Sequence, residues 1–211
     1  IENENTFNKN NFLLVNNLSK KPIIALLPGS RNQEINKLLP VMLEAVSNLN
    51  DYQLVIAGAP SKSVDYYEKI IQSSNLNTNI IKVISNQTYN ILRVSKAAIV
   101  TSGTATLETA LFNVPQVVCY KTSWASYIIG RLLIHNLKYI SLVNIIQDRE
   151  VVKELIQNDC NKINLVKELQ KILDKKNRSS MLAEYKALKT KLGGKGASKK
   201  TADLINMYLG N

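Results

Sequence analysis

The sequence predicts an α/β fold, in which helices flank a parallel sheet and extra helices follow at the C-terminal end. Three observations predict this fold. Short apolar runs alternate with segments of helical pattern, two of the runs end in turns rich in Gly, Ser and Thr, and basic helical segments replace the alternation near Lys176. Continuous apolar runs of about five residues are typical of strands buried on both faces. Their alternation with helices indicates βαβ units joined by right-handed crossovers.

Six apolar runs predict the strands, in chain order at 23–27, 53–57, 80–84, 97–101, 116–120 and 139–143. Gly58 ends the second run, while Pro115 and Lys121 bound the fifth. Pro40 lies inside the first helical segment, where it is expected to force a kink or a restart. The helical patterns cover 32–49, 64–73, 89–95, a segment that starts at 103, 123–134, 149–157, 162–176, 179–192 and 197–209.

Composition excludes several classes of protein. The 211 residues are 45% hydrophobic, as in soluble globular proteins, and no apolar run reaches the ~20 residues that span a bilayer. The chain starts with a polar segment whose first residue is not Met, which we interpret as a cut inside a longer protein. Cys119 and Cys160 are the only cysteines and lack CxxC or His spacing. They favour a reducing cytoplasm and predict neither a disulfide framework nor a metal site.

Two strand-to-helix turns carry most of the functional signal. The first contains Gly29, Ser30 and Arg31, and the second is the run Ser102, Gly103, Thr104, Ala105, Thr106, Leu107 and Glu108. A helix start leaves N–H groups without partners at the positive end of the helix dipole, which favours a phosphate. Arg31 adds a cation with a bidentate fork. The Glu108 carboxylate can accept hydrogen bonds from a sugar diol, so the pair predicts a site for a nucleotide sugar.

Each turn also has an ordinary interpretation. A Gly-Ser turn before a helix is commonly a cap, and neither turn has the spacing of a P-loop or of the G-x-G-x-x-G fingerprint. Arg31 could be a surface residue, and Glu108 a capping carboxylate. The functional interpretation gains weight because both turns follow strands of one parallel sheet, and such sheets bind ligands at the carboxyl ends of their strands.

The net charge of +11 is concentrated toward the C-terminus, where residues 175–200 contain nine basic side chains and Glu184 as the one acidic side chain. Three interpretations are open: a solvated helical face, an anionic membrane surface, or nucleic acid. Nucleic acid is disfavoured because Tyr185 is the one aromatic residue of the stretch and no RNA- or DNA-binding motif occurs.

Several runs together resemble the lipid-A-disaccharide synthase family. These are Leu26-Leu27-Pro28-Gly29-Ser30-Arg31-x-x-Glu34-Ile35, Ser102 to Glu108, Val117 to Lys121, Ser141 to Ile146 and Arg149 to Gln157. Their order and spacing agree from about Ile23 to the C-terminus. One departure is Val143, where many relatives have Pro, which puts the local turn geometry in doubt.

The resemblance implies the C-terminal, Rossmann-like half of a GT-B glycosyltransferase, which holds the UDP of the donor. Residues 1–22 would be a polar lead-in from a missing N-terminal domain, residues 23–176 the nucleotide-sugar-binding domain, and residues 177–211 basic helices that pack on either half. The donor would be UDP-2,3-diacylglucosamine and the acceptor 2,3-diacylglucosamine 1-phosphate, without a cofactor. The protein would be cytoplasmic and peripheral on the inner membrane, and a homodimer stays open.

The resemblance also implies roles for individual residues. Arg31 and the helix-start N–H groups would stabilise the leaving diphosphate, and Glu108 would hold the ribose hydroxyls. Asn144, expected at a strand end, would contact the diphosphate or uracil, or else form an Asx-turn. Backbone groups of Tyr120 and Lys121 would pair with uracil, and Glu150 matches the family motif. Other UDP-sugar GT-B enzymes, an epimerase and a non-catalytic nucleotide-sugar-binding module remain alternatives.

Overall fold

The computed structural model describes residues 7–74, 80–123, 138–193 and 196–209. Within these ranges six parallel strands form one sheet. The strands are β1 (Ile23–Leu27), β2 (Gln53–Gly58), β3 (Ile81–Ser85), β4 (Ser95–Thr101), β5 (Gln116–Tyr120) and β6 (Lys153–Ile156). The helices are α1 (Lys9–Val15), α2 (Asn32–Val46), α3 (Val64–Gln72), α4 (Thr88–Val94), α5 (Thr104–Leu111), α6 (Leu142–Gln147), α7 (Lys162–Leu173), α8 (Lys175–Leu192) and α9 (Ala197–Leu209), and a 3₁₀ helix covers Gln157–Asp159.

The order of the strands is β3-β2-β1-β4-β5-β6, which confirms the predicted α/β class. β1 lies in the middle of the sheet and pairs with β2 on one side and β4 on the other. From β1 to β3 each new strand is added on one side of β1, whereas β4, β5 and β6 are added on the other side. The carboxyl ends of β1 and β4 therefore form the switch point at which doubly wound sheets bind ligands.

Two apolar layers cover the sheet, because successive side chains of a buried strand point to opposite faces. Ile24 and Leu26 of β1 pack with the apolar side chains of α2, α3 and α7. Ile23, Ala25 and Leu27 pack on the other face with α1, α4 and the β4 side chains of that face. All residues of β1 and β2 are buried, as the continuous apolar runs predict.

Pro40 does not restart the helix that contains it. α2 runs unbroken from Asn32 to Val46, with Pro40 inside it. Leu39 and Met42 flank Pro40 and are fully buried against the sheet. This packing favours one continuous helix at a position where proline removes a backbone hydrogen bond.

Two predicted elements between 139 and 157 are wrong. The predicted strand at 139–143 is absent: its last two residues begin helix α6, whose N-cap Ser141 accepts a hydrogen bond from the Asn144 N–H at 3.3 Å. The predicted helix at 149–157 contains the edge strand β6 and the start of the 3₁₀ helix. Asp148 adopts a left-handed conformation (φ +49°) at the end of α6. This turn ends the helix and redirects the chain into β6.

The basic helix α8 packs on the sheet domain. Arg178 donates a hydrogen bond to the Lys96 carbonyl at the start of β4, and Gln116 Nε2 at the start of β5 lies 3.3 Å from the Tyr185 hydroxyl. Tyr185 and Leu188 are fully buried. α8 therefore crosses the amino ends of the strands. Helix α1, inside the predicted lead-in, also packs on the sheet domain, through the buried Phe12.

The described side chains of α9 are all exposed, including Ala202, Ile205 and Leu209. Within the described ranges, no helix combines the length and the apolar character that a membrane span requires. The predicted helix at 123–134 lies, apart from Ser123, outside the described residues.

Candidate functional site

A cleft of about 520 Å³ opens at the carboxyl ends of β1, β2 and β4. Both predicted turns line it, and the structure brings eight of the predicted residues together there: Gly29, Ser30, Arg31, Ser102, Gly103, Thr104, Ala105 and Glu108. The turns meet because β1 and β4 are neighbours in the sheet, although β2 and β3 separate them along the chain.

The turn before α5 offers free backbone donors to the cleft. Thr104 and Ala105 are the first two residues of α5, so their N–H groups have no partner within the helix. Ser102 is fixed by two hydrogen bonds of 2.9 Å, from its N–H to the Cys119 carbonyl and from its hydroxyl to the Ile140 carbonyl. This turn has the donors and the rigidity of an anion site.

Thr106 does not line the cleft. Its side chain is fully buried, and its hydroxyl donates a hydrogen bond of 2.8 Å to the Gly103 carbonyl. Thr106 therefore supports the turn from behind and leaves ligand contact to the residues before it.

The turn before α2 is already occupied by a carboxylate of the chain itself. Glu34 Oε2 accepts hydrogen bonds of 3.3 Å from the backbone N–H groups of Ser30 and Arg31. A Cβ atom on Gly29, whose φ is +97°, would lie 2.5 Å from the same oxygen. Glycine is therefore required here by its conformation and by the close approach of Glu34. The predicted phosphate donors of this turn are engaged within the protein, so the Arg31 side chain is the group of this turn that can reach a ligand.

The Arg31 guanidinium is held by one weak contact. Its side chain is 83% exposed, and Nη1 lies 3.4 Å from Glu34 Oε1. An exposed ion pair of this kind contributes about 0–1 kcal/mol. The guanidinium can therefore leave Glu34 for a stronger anion in the cleft without a large cost.

Glu108 faces the cleft and is positioned by Tyr89. The charge of the nearby Glu108 carboxylate raises the pKa of Tyr89, and burial of the phenol and hydrogen bonding to that carboxylate act in the same direction. No backbone N–H of the described residues donates to Glu108. The capping interpretation of this carboxylate therefore finds no support in the geometry.

One part of the cleft, formed by the end of β2 with Thr88, Thr101 and Glu34, is not predicted from the sequence. Ala57, Gly58, Ala59 and Pro60 line it, following the second strand. Thr101 is 5% exposed, and its hydroxyl is without a hydrogen-bond partner among the described residues. Two signals were present: the rule that strand ends at a switch point line the site, and the Arg31-x-x-Glu34 spacing, in which a Glu at the third helical position reaches back to the N-cap.

Asn144 lies outside the cleft, on a helix and not at a strand end. Its side chain is fully buried and links α6 to the approach of β6: Nδ2 donates to the Val152 carbonyl at 2.8 Å, and Oδ1 accepts from the Val151 and Val152 N–H groups at 2.8 and 2.9 Å. Its amide is fully engaged within the protein. This arrangement gives Asn144 a structural role.

Tyr120, Lys121 and Glu150 are also absent from the cleft lining. Lys121 Nζ donates to the Cys160 carbonyl at 3.1 Å, and Glu150 pairs with Lys153 on the surface at 3.2 Å. Tyr120 ends β5, one strand away from β4. Their predicted contacts with a nucleotide remain untested.

The described residues contain no cluster of His, Cys, Asp and Glu that could hold a metal ion. Cys119, in β5, and Cys160, which follows the 3₁₀ helix, are buried free thiols. A hydrogen bond between the two side chains, together with burial, raises the pKa of Cys119, and the same hydrogen bond lowers the pKa of Cys160. Both thiols belong to the core below the cleft.

Solved structures with the same fold share little sequence with the chain. The Staphylococcus aureus MnaA–UDP co-structure superposes with a TM-score of 0.66 at 18% identity and covers 98% of this chain and 49% of that one. A glycosyltransferase from Rickettsia africae gives a TM-score of 0.63 at 14% identity, over 96% of this chain and 52% of that one. These likenesses show a fold shared with one half of larger proteins.

Sequence comparison is more specific. The lipid-A-disaccharide synthase of Francisella tularensis subsp. tularensis (strain WY96-3418) is 37% identical over 170 residues, which are 79% of this chain and 44% of that protein. The corresponding protein of subsp. novicida (strain U112) is 37% identical over 167 residues. The chain thus spans less than half the length of these relatives. The family model of the lipid-A-disaccharide synthetases matches residues 2–207. Because that match covers nearly the whole chain, the chain belongs to the lipid-A-disaccharide synthetase family.

Proposed function

We propose that this chain is the donor-binding half of a glycosyltransferase of lipid A biosynthesis. The complete protein would transfer 2,3-diacylglucosamine from its UDP form to 2,3-diacylglucosamine 1-phosphate, giving the disaccharide 1-phosphate and UDP. The observation that carries the proposal is the convergence of Arg31, the α5 N-terminus and Glu108 on one cleft at the switch point. Membership of the family supports the choice of substrates.

The geometry supports different roles for the two turns: backbone N–H groups of the turn before α5 would bind the diphosphate, and the turn before α2 would contribute Arg31. Because Glu34 occupies the donors of the first turn, the diphosphate would bind the N–H groups of Thr104 and Ala105. Arg31 would exchange Glu34 for the β-phosphate, which gains negative charge as the anomeric bond breaks. Preorganised donors of this kind stabilise the transition state more than the ground state. Residues outside this chain would bind the acceptor and would supply the general base.

Glu108 would hold the ribose hydroxyls, with Tyr89 fixing its carboxylate. The MnaA–UDP co-structure supports a uridine nucleotide for this fold. An epimerase or a nucleotide-sugar-binding module would use the same cleft, so the uridine assignment and the transfer reaction need separate tests.

Titration of the chain with UDP, UMP, ADP and GDP tests the nucleotide assignment. We expect UDP to bind most tightly, with NMR shifts at Arg31 and at residues 102–108, and we expect no turnover of UDP-sugar by the chain alone. Equal responses to all four nucleotides would overturn the uridine assignment. In the complete enzyme, Arg31→Ala should lower kcat by roughly 10²–10³, the scale of one lost transition-state donor. A higher KM at an unchanged kcat would contradict this role.

We also propose that the protein is cytoplasmic and binds the anionic surface of the inner membrane through its C-terminal helices. Lys186 is exposed on α8, and α9 presents Leu204, Ile205 and Leu209 to solvent. Basic residues near an anionic bilayer contribute about 1 kcal/mol each, and screening shortens to about 3 Å at 1 M salt. Binding should therefore be reversible and sensitive to salt.

Sedimentation with vesicles tests the membrane proposal. The chain should pellet with phosphatidylglycerol vesicles at low salt, and Lys186→Gln/Lys189→Gln/Lys191→Gln should reduce pelleting more than Lys37→Gln/Lys69→Gln/Lys167→Gln, which removes the same charge elsewhere. Equal pelleting with zwitterionic vesicles, or pelleting that 1 M salt does not reduce, would contradict an electrostatic contact.

A further inference from the structure

A second cavity, of about 410 Å³, lies at the amino ends of β1 and β4, on the edge of the sheet opposite the cleft. We call it the basic cavity. It is lined by Lys9, Leu13, Lys20, Lys21, Pro22, Ile23, Val94, Ser95, Lys96 and Arg178. Five of these ten residues are cations and none is acidic.

The five cations come from four separate places in the fold. Lys9 is on α1, Lys20 and Lys21 precede β1, Lys96 is in β4, and Arg178 is on α8. A run of neighbouring lysines on one helix commonly faces solvent. Here the fold itself gathers the charges into one concave surface, which is the arrangement of a binding site.

Carboxylates do not neutralise these cations. None of the five takes part in an ion pair among the described residues. Lys21 Nζ donates to the Asn50 carbonyl at 2.7 Å, and Arg178 donates to the Lys96 carbonyl. Asp174, close by in sequence, uses its carboxylate to cap α8, accepting from the Lys176 and Asn177 N–H groups at 3.0 and 3.1 Å. Backbone carbonyls thus fix two of the cations without removing their charge.

We propose that the basic cavity binds a phosphate group. Like charges held together in one cavity repel each other, and a multiply charged anion removes that repulsion. Arg178 can present a planar fork to phosphate oxygens, while the lysines supply point charges. The lining contains no aromatic side chain on which a base could stack, which disfavours a nucleic acid.

The proposal is independent of the proposed nucleotide site. The length of β4, from Ser95 to Thr101, separates the two sites, with Lys96 in the basic cavity and Thr101 in the cleft. A ligand in one site therefore does not contact the other. The phosphate could belong to a lipid headgroup or to a soluble phosphorylated compound, because both present the same anion.

NMR titration of the chain with inorganic phosphate tests the site. We expect saturable shifts at Lys20, Ser95 and Lys96, with a millimolar dissociation constant that rises with salt. Lys20→Gln/Lys96→Gln should weaken binding roughly 25-fold, at about fivefold for each cation removed. The matched control Lys69→Gln/Lys167→Gln removes two exposed lysines elsewhere and should leave the shifts unchanged.

Vesicles distinguish the two sources of phosphate. If the source is a lipid, Lys20→Gln/Lys96→Gln reduces pelleting with phosphatidic acid vesicles beyond the effect of the control. If the source is soluble, Lys20→Gln/Lys96→Gln pellets like the control. Glycerol 3-phosphate then produces the same NMR shifts as inorganic phosphate. The absence of saturable shifts, equal losses in both double variants, or tighter binding of an oligonucleotide at this site would overturn the proposal. Shifts at the basic cavity without any response to UDP would leave this proposal standing and defeat the nucleotide assignment.

Discussion

Glu34 decides which of the two turns can receive a phosphate. A carboxylate placed 3.3 Å from two backbone nitrogens satisfies the helix start in the free protein and repels a second anion there. The same carboxylate keeps Arg31 at the mouth of the cleft. We propose that Arg31 exchanges this internal partner for an anionic ligand.

The role of Glu108 can be separated from its effect on the fold. Glu108→Gln should weaken the binding of UDP by ~1.5–3 kcal/mol, the scale of a hydrogen bond to a charged group. The affinity for pyrophosphate should stay nearly unchanged. Isothermal titration with both ligands measures the difference. Tyr89→Phe, which removes the hydroxyl that holds the carboxylate, should have a smaller effect in the same direction. A large loss of thermal stability in Glu108→Gln without ligand would instead indicate a structural carboxylate.

Gly58 gives a second prediction at the level of single residues. A Cβ atom at Gly58 would lie 2.5 Å from Ser85 Oγ, which is buried and without a hydrogen-bond partner among the described residues. Gly58→Ala should therefore destabilise the protein by about 1–3 kcal/mol, the usual cost of overpacking, in a denaturant titration. Adding Ser85→Ala removes the oxygen and should recover most of that loss. Equal stability of Gly58→Ala and the unmodified protein would contradict the close packing.

Among the elements, α8 shows how a highly charged helix joins a core. Tyr185 and Leu188 are fully buried below the sheet, while Leu192 near the end of the helix is 41% exposed. Leu188→Ala should lower the free energy of unfolding by about 2–5 kcal/mol, and Leu192→Ala by less than about 1 kcal/mol. Denaturant unfolding of both variants measures the contrast. Similar effects at the two positions would mean that α8 is not docked as described.

The first five strands and the helices after residue 161 could be predicted from the sequence, whereas the elements between 139 and 157 could not. β1 and β2 are buried on both faces, so they leave continuous apolar runs such as Ile23 to Leu27. β6 is a short edge strand with Lys153 and Glu154 in it, a pattern that fits a helix surface equally well. Distinguishing these possibilities requires the neighbouring strand, which a single sequence does not contain.

The site was predictable to the extent that it depends on strand ends. Both turns were found because their glycines and hydroxyl residues follow apolar runs. Asn144 was misplaced because its environment depends on Val151 and Val152, which reach it through tertiary folding. Tyr89 was missed because its contact with Glu108 joins α4 to α5. Contacts of this kind leave no local pattern in the sequence.

At the scale of the whole molecule, stability should fall in strong base. Burial raises the pKa of Tyr185 in the folded protein, while the same phenol in the unfolded chain ionises near pH 10. The unfolded state therefore releases a proton that the native state retains, and the free energy of unfolding decreases as pH rises above about 10. The slope is about 1.4 kcal/mol per pH unit for one such tyrosine.

Tyr185→Phe should remove this part of the pH dependence and cost about 1 kcal/mol at neutral pH, through the lost contact with Gln116. Tyr208→Phe, at an exposed position, is the matched control and should change neither quantity. Denaturant titrations between pH 8 and about 11.5 measure both. If the free energy of unfolding of Tyr185→Phe falls with pH as steeply as that of the unmodified protein, other groups cause the loss of stability in base.

The central place of β1 also constrains how the chain can reach its native state. β1 is the first strand along the sequence, but its partner β4 is separated from it by two further strand–helix units. The middle of the sheet therefore closes only when a long loop of chain has been ordered, and loops of that span are costly to close before the contact forms. Until then, the β4-facing edge of β1 is an open row of backbone donors and acceptors. This topology therefore leaves an edge at which incompletely folded chains can associate with one another during synthesis.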